Sequence, residues 1–172
     1  MALRAEAEPR IEVHKFHTGA VAGTASLALL VQAFLPLHVR AADLVELPLL
    51  VVLYFGLSRR NAVTGLLLGM VVGLAQDALG GLQVGLNGIA KTLVGFLAST
   101  LGGRIDVDHP VSRVVLAFLF FHFHQGVIGI IKRLLLAEPE AIFSPRLLLA
   151  SAVNAALALV LFALLDRLRK KV

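Results

Sequence analysis

Six apolar stretches separated by short polar ones set the pattern of this chain. From Gly19 to Leu37 only Thr24, Ser26 and Gln32 interrupt an apolar run, and about 20 such residues cross a bilayer core of about 30 Å. Pro36 near its end, then His38, Arg40, Asp43 and Glu46, mark an exit into water. The second stretch, Leu47 to Leu57, is too short to cross alone. It must borrow from Ala41 to Leu44 or sit thinned among its neighbours. It counts as a span because the basic pair Arg59 and Arg60 follows at once and the third stretch begins directly after. Ala62 to Leu79 is the third, Leu86 to Leu101 the fourth, Val111 to Ile131 the fifth and Leu147 to Leu165 the sixth. Between them lie polar loops at 102–112, with Arg104, Asp106, Asp108, His109 and Pro110, and at 138–145. The expected fold is all-α: one six-helix transmembrane domain over residues 19–165, flanked by a polar tail at 1–18 and a basic tail at 166–172. The first tail is expected to carry a short interfacial helix from Ile11.

Composition agrees with the pattern. In 172 residues, 58% are hydrophobic and the mean hydropathy is +0.88, far from the balance of a soluble domain. The net charge of +5 sits in short basic flanks rather than on one face, which argues against nucleic-acid binding. With no cysteine there is no disulfide framework, thiolate nucleophile or thiolate metal ligand. The polar first eighteen residues, with no small-residue cleavage site after the apolar run, do not read as a cleavable signal. Six crossings with the N-terminus inside would place eleven Lys and Arg residues on the inner side and four on the outer, with Lys91 left inside a span. The positive-inside rule therefore favours both termini in the cytoplasm.

The most informative stretch is Thr64 to Gly102. Gly65, Gly69 and Gly73 step by four into Asp77, forming one smooth helical face that ends in a carboxylate. A glycine-rich break with Gly80, Gly81 and Gly85 follows, then a helix that carries Asn87, Lys91, Gly95 and Ser99. The unit reads as a helical hairpin with small faces, suited to close backbone approach in lipid. Asp77 is either solvated at the headgroups or buried, where it would pair with Lys91 or accept N–H bonds from the break and pin the hairpin. Pinning is the expected role, ahead of partner or ligand contact. Lys91, about one turn inside its span, is expected to snorkel to the interface, with an ion pair to Asp77 as the alternative. His122 and His124 are two residues apart, so they point to different sides and cannot chelate one metal. His122, Gln125, Gly126, Gly129 and Arg133 share a side suited to a helix seam or a polar cavity wall. Asn154, between Ala150 and Ala158, reads as an interhelical hydrogen-bonding amide.

Absent motifs narrow the function. The chain has no GxxxxGK[ST], no H-E-x-x-H, no G-x-S-x-G and no acidic cluster for a divalent cation, and its loops leave no room for a soluble catalytic domain. No cofactor is expected, and a small six-span protein of this kind reads as a non-catalytic body that holds other membrane proteins.

The stretch GLLLGMVVGLAQDALGGLQVGLNGIAKTLVGFLASTLGGR, Gly65 to Arg104, resembles the rod-shape-determining MreD family. The matching positions are Gly69, Gly73, Asp77, Gly80, Gly81, Gly85, Leu86, Asn87 and Gly95; the other spans match in number, length and order without a distinctive motif. The resemblance implies a scaffold subunit of the cell-elongation (Rod) complex in the bacterial inner membrane. It would bind the single-span protein MreC and, through it, act with MreB, RodA and penicillin-binding protein 2 in peptidoglycan synthesis. It also implies a fold like that of the S components of energy-coupling-factor transporters. The alternative function is therefore vitamin binding in an outward-facing pocket, to which the segment FLFFHFHQG could contribute.

Overall fold

The structure is a computed structural model that describes residues 16–81, 85–137 and 144–169. The start of the expected interfacial helix at Ile11, the tip of the loop at 82–84, most of the loop at 138–145 and residues 170–172 of the basic tail lie outside them. Of the described residues 83% are helical and none forms a strand. The helices are α1 (Thr18–His38), α2 (Leu47–Arg59), α3 (Ala62–Gly80), α4 (Leu86–Leu101), α5 (Pro110–Leu135) and α6 (Pro145–Asp166), with a single 3₁₀ turn at Ala42–Leu44.

Local chemistry sets these boundaries. Proline stands in the first turns of α2, α5 and α6, where its missing N–H costs no helical bond. The side chains of Asn61 and Ser144 accept the Thr64 and Leu147 N–H groups, capping α3 and α6. Arg60, at φ 54°, turns the chain between α2 and α3.

Helices α1, α3, α5 and α6 are long and apolar enough to cross a membrane, whereas α2 has 13 residues and α4 has 16. The long helices bury only a minority of their apolar residues. Leu27, Phe34, Val63, Val71, Leu119, Leu134 and Val160 point outward, an arrangement stable only in lipid. The chain is thus an all-α membrane protein.

Helix α2 is the opposite case: every residue from Pro48 to Ser58 is buried. A helix apolar on all sides belongs in a core, and α2, only about 20 Å long, serves as one for the surrounding helices. Its entry is irregular. Between His38 and Leu47 the chain folds back in along α1, and the side chains of its neighbours satisfy the backbone there. Gln32 Nε2 donates to Val45 O (2.9 Å) and its Oε1 accepts from Leu47 N (3.0 Å). Asn154 Nδ2 donates to Leu44 O (2.7 Å) and its Oδ1 accepts from Glu46 N (2.9 Å). Asn154 is ten residues into α6, about 15 Å from the start of that helix, so α2 begins well below its neighbours' ends. Non-helical backbone at such depth is tolerated where protein groups saturate it.

The far end of α2 is closed by rings and ion pairs. Phe16 meets Tyr54 and Phe55 edge-on, with centroids 5.8 and 5.1 Å apart. Tyr54 donates to Asp166 (2.8 Å), which also accepts from Arg113 (2.8 Å) and Arg169 (2.7 Å). Arg113 further donates to Val107 O at 3.0 Å, tying the 102–109 loop to α5 and α6.

Candidate functional site

Helices α3 and α4 meet backbone to backbone, and the glycine spacing explains it. A Cβ added at Gly69 would fall within 3.0 Å of the Lys91 carbonyl, one at Gly73 within 3.0 Å of the Asn87 carbonyl, and one at Gly65 within 3.0 Å of the Gly95 carbonyl. Four-residue steps on α3 thus meet four-residue steps on an antiparallel α4, backbone to backbone. Ser99 and Thr92 return their hydroxyls to carbonyls one turn back, at Gly95 and Gly88, so the seam is free of unpaired hydroxyls.

One step further along α3, the ladder ends in Asp77, which is fully buried rather than placed at the headgroups. Its Oδ2 accepts from the N–H groups of Gly85 (2.8 Å) and Gly88 (3.1 Å), and its Oδ1 from the N–H (3.2 Å) and Nδ2 (2.9 Å) of Asn87. The N-terminal amides of α4 have few partners within their own helix, and a carboxylate there also meets the positive end of the helix dipole. Gly81 (φ 61°) and Gly85 (φ 109°) supply the left-handed turns that bring those amides round to Asp77.

Lys91 corrects the expectation that it snorkels. Its side chain is 0% exposed, and its ion-pair partner is Glu46 at 2.9 Å, not Asp77. Nζ also donates to Asn87 Oδ1 (2.7 Å) and lies 3.2 Å from His124 Nε2. The side chain of Glu46 is only 15% exposed, so this residue, expected to mark an exit into water, instead turns inward. Gln76 Nε2 donates to the same carboxylate oxygen at 2.7 Å. The reason lies in α2: because that helix starts so deep, the residue before it lies within the bundle and takes the charge on α4 as its partner.

His122 and His124 diverge as the spacing implied. His122 pairs with Ser151 of α6 (2.7 Å) and stacks on Phe118 (centroids 4.9 Å), while His124 joins the Lys91 network. The Asn154 amide has three partners, the third being Ala150 O at 2.8 Å. Of the face that suited a helix seam or a polar cavity wall, His122 meets α6 and Gln125 lines a cavity, while Gly126 and Gly129 have nothing within 4 Å of an added Cβ. Sequence reasoning missed Glu46, Gln76 and His124 as members of the buried network. The available signal was the shortness of the second apolar run, which demands that its polar flank be sunk below the surface.

A cavity of about 920 Å³ opens above this network, between α1, the end of α3, the start of α4 and α5. Gln32, Asp43, Glu46, Gln76, Asn87, His124, Gln125 and Lys132 contribute its polar lining, and the apolar part is aliphatic, from residues such as Leu29, Leu79 and Ile128. Phe120 and Phe121 are buried in the core and line no part of it. Among the described residues no group of three or more His, Cys, Asp or Glu side chains is placed to hold a metal ion.

No curated protein and no solved structure matches the chain. A family model for the rod shape-determining protein MreD matches residues 16–168, nearly the whole length. That span holds all six helices and the whole buried network; the chain belongs to the MreD family, whose members serve in rod shape determination.

Proposed function

We propose that this chain is a non-catalytic docking subunit of the bacterial cell-elongation machinery. It would cross the inner membrane six times with both ends in the cytoplasm and bind the single transmembrane helix of MreC. Through MreC it would act with MreB, RodA and penicillin-binding protein 2 on peptidoglycan synthesis. The contrast between two sets of glycines carries the docking reading. Gly65, Gly69 and Gly73 are filled by α4, so that seam, a candidate partner surface on spacing alone, is closed to any partner. Gly19 and Gly23 of α1 show the same four-residue step with nothing within 4 Å of either. They lie on an outward face with Ala22 and Ser26, all exposed. A G-x-x-x-G face on an apolar helix lets a second helix approach closely, and in lipid such packing drives association.

The rest of the molecule fits a rigid support for that face. The buried charges are paired and α2 is enclosed, so the bundle presents its partner with a fixed surface. The alternative, a vitamin-binding transporter subunit, has less support: the cavity walls are aliphatic, with no phenylalanine, tyrosine or tryptophan among the lining residues.

The test is recovery of MreC with the tagged full chain from detergent. Gly23→Leu is expected to lower recovery at least several-fold while the chain's own unfolding midpoint stays put. Full recovery with Gly23→Leu would overturn the assignment of this face.

A further inference from the structure

We propose that the cavity above the Lys91 network binds a small zwitterion, its primary ammonium on the floor at Glu46 and Gln125 and its anionic group nearer the mouth at Lys132, as an ethanolamine phosphate would lie. The inference is independent of the docking reading.

The depth of α2 creates the space. That helix has 13 residues and begins well below its neighbours' ends, so α1, α3 and α5 stand above it and enclose about 920 Å³, within the range of small-molecule sites. The floor is the residue that precedes α2. Gln76 Nε2 and Lys91 Nζ both reach Glu46 through Oε1, at 2.7 and 2.9 Å. Among the described residues Oε2 has no partner, yet it keeps accessible surface on a side chain that is mostly buried. The amide of Gln125, half-buried on the α5 wall, likewise makes no hydrogen bond among the described residues. A carboxylate oxygen largely withdrawn from water is stabilised most by a charged donor. An ammonium brings three N–H groups, of which Glu46 Oε2 and Gln125 Oε1 can take two.

The balance of charge calls for both signs on one ligand. Two carboxylates, Asp43 and Glu46, and one ammonium, Lys132, line the cavity. Lys91 already offsets Glu46 from below, and Arg146 pairs with Asp43, so the walls are close to neutral and a bare cation would meet Lys132 unanswered. Lys132 lies seven residues after Gln125, about 10 Å further along the same face of α5. Its three N–H donors allow it to serve an anionic group beside a protein partner. Leu29, Leu86 and Ile128 supply the wall for the methylene links of such a ligand. The same chemistry could come from a free small molecule or from a lipid headgroup.

The experiment uses the full chain in phosphatidylcholine nanodiscs, whose own headgroups carry both charges but no N–H on nitrogen. Three probes are compared: O-phosphoethanolamine and phosphocholine in the aqueous phase, and phosphatidylethanolamine as a minor lipid. The expected result is a rise in unfolding midpoint of about 3 °C or more with one of the ethanolamine probes and none with phosphocholine. O-phosphoethanolamine acting would identify a free ligand, and phosphatidylethanolamine acting a headgroup. Ala33→Trp, which fills the cavity from α1 without touching the network, is expected to abolish the shift. Gln125→Leu, which leaves the Lys91 and Glu46 pair intact, is expected to reduce it at least several-fold. Ile128→Trp fills the cavity from α5 and replaces Ala33→Trp if that variant does not fold. No shift with either ethanolamine probe on the unsubstituted chain, an equal shift with phosphocholine, or a shift that persists with the cavity filled would overturn the proposal.

Discussion

Lys91 and Glu46 lie 2.9 Å apart and join the middle of α4 to the residue that precedes α2. Breaking such a buried pair from one side leaves an uncompensated charge and costs about 3–5 kcal/mol, whereas removing both members together is often close to neutral. Lys91→Met and Glu46→Gln are each expected to lower stability by about that much, and the double substitution by less than either alone. Unfolding of the four proteins in one detergent gives the coupling. Additive losses would mean that the two side chains are neighbours without being partners.

Asp77 supports a second prediction. An amide in its place keeps the shape but has one acceptor oxygen for four N–H donors, and each buried donor left unpaired costs about 1–3 kcal/mol. Asp77→Asn should therefore loosen the turn itself. The expected signature is faster hydrogen exchange at the Gly85, Asn87 and Gly88 amides, with exchange in α6 unchanged. Uniform acceleration across the chain would instead indicate a global loss of fold.

How much of this was legible depended on the distance over which each signal acts. The hairpin was readable because glycine spacing, Asp77 and the break are local and in register, and the expected ends of α1, α3, α4 and α6 lie within two residues of those observed. The fifth helix runs on to Leu135, past the Ile131 expected for a bilayer-length span. The Lys91 partner was hidden because the shortness of the run after Glu46 says only that this flank is sunk, not which group its side chain meets; that is set by Gln32 and Asn154, which hold the entry to α2 from two other helices. Nor does spacing say which way a glycine face points. Gly19 with Gly23 and Gly65 with Gly69 read alike, yet one pair is open and the other filled.

That difference gives a third prediction. At Gly69 an alanine methyl would run into the Lys91 carbonyl, a backbone atom that cannot swing aside. Gly69→Ala is expected to push α3 from α4 and cost about 1–3 kcal/mol, and Gly95→Ala, against the Gly65 carbonyl, the same. Gly19→Ala, in open space, should leave the unfolding midpoint unchanged or slightly higher through helix propensity. Equal effects at Gly19 and Gly69 would contradict the close crossing.

Asn154 controls the buried pair at one remove. Its amide holds Leu44 O and Glu46 N, and so sets where the Glu46 side chain starts. Asn154→Ala removes both bonds and leaves irregular backbone unsatisfied at membrane depth, at about 1–3 kcal/mol per group. If its role is to aim Glu46 at Lys91, the substitution should cost less in a chain already carrying Lys91→Met and Glu46→Gln, because misplacing an uncharged side chain matters less. A double-mutant cycle between Asn154→Ala and that pair is expected to show coupling of about 0.5–3 kcal/mol. Zero coupling would mean that Asn154 merely fastens the loop. Coupling of that size would make the depth of α2, the charge on α4 and the amide on α6 one cooperative unit, whose loss would be read as a single unfolding event.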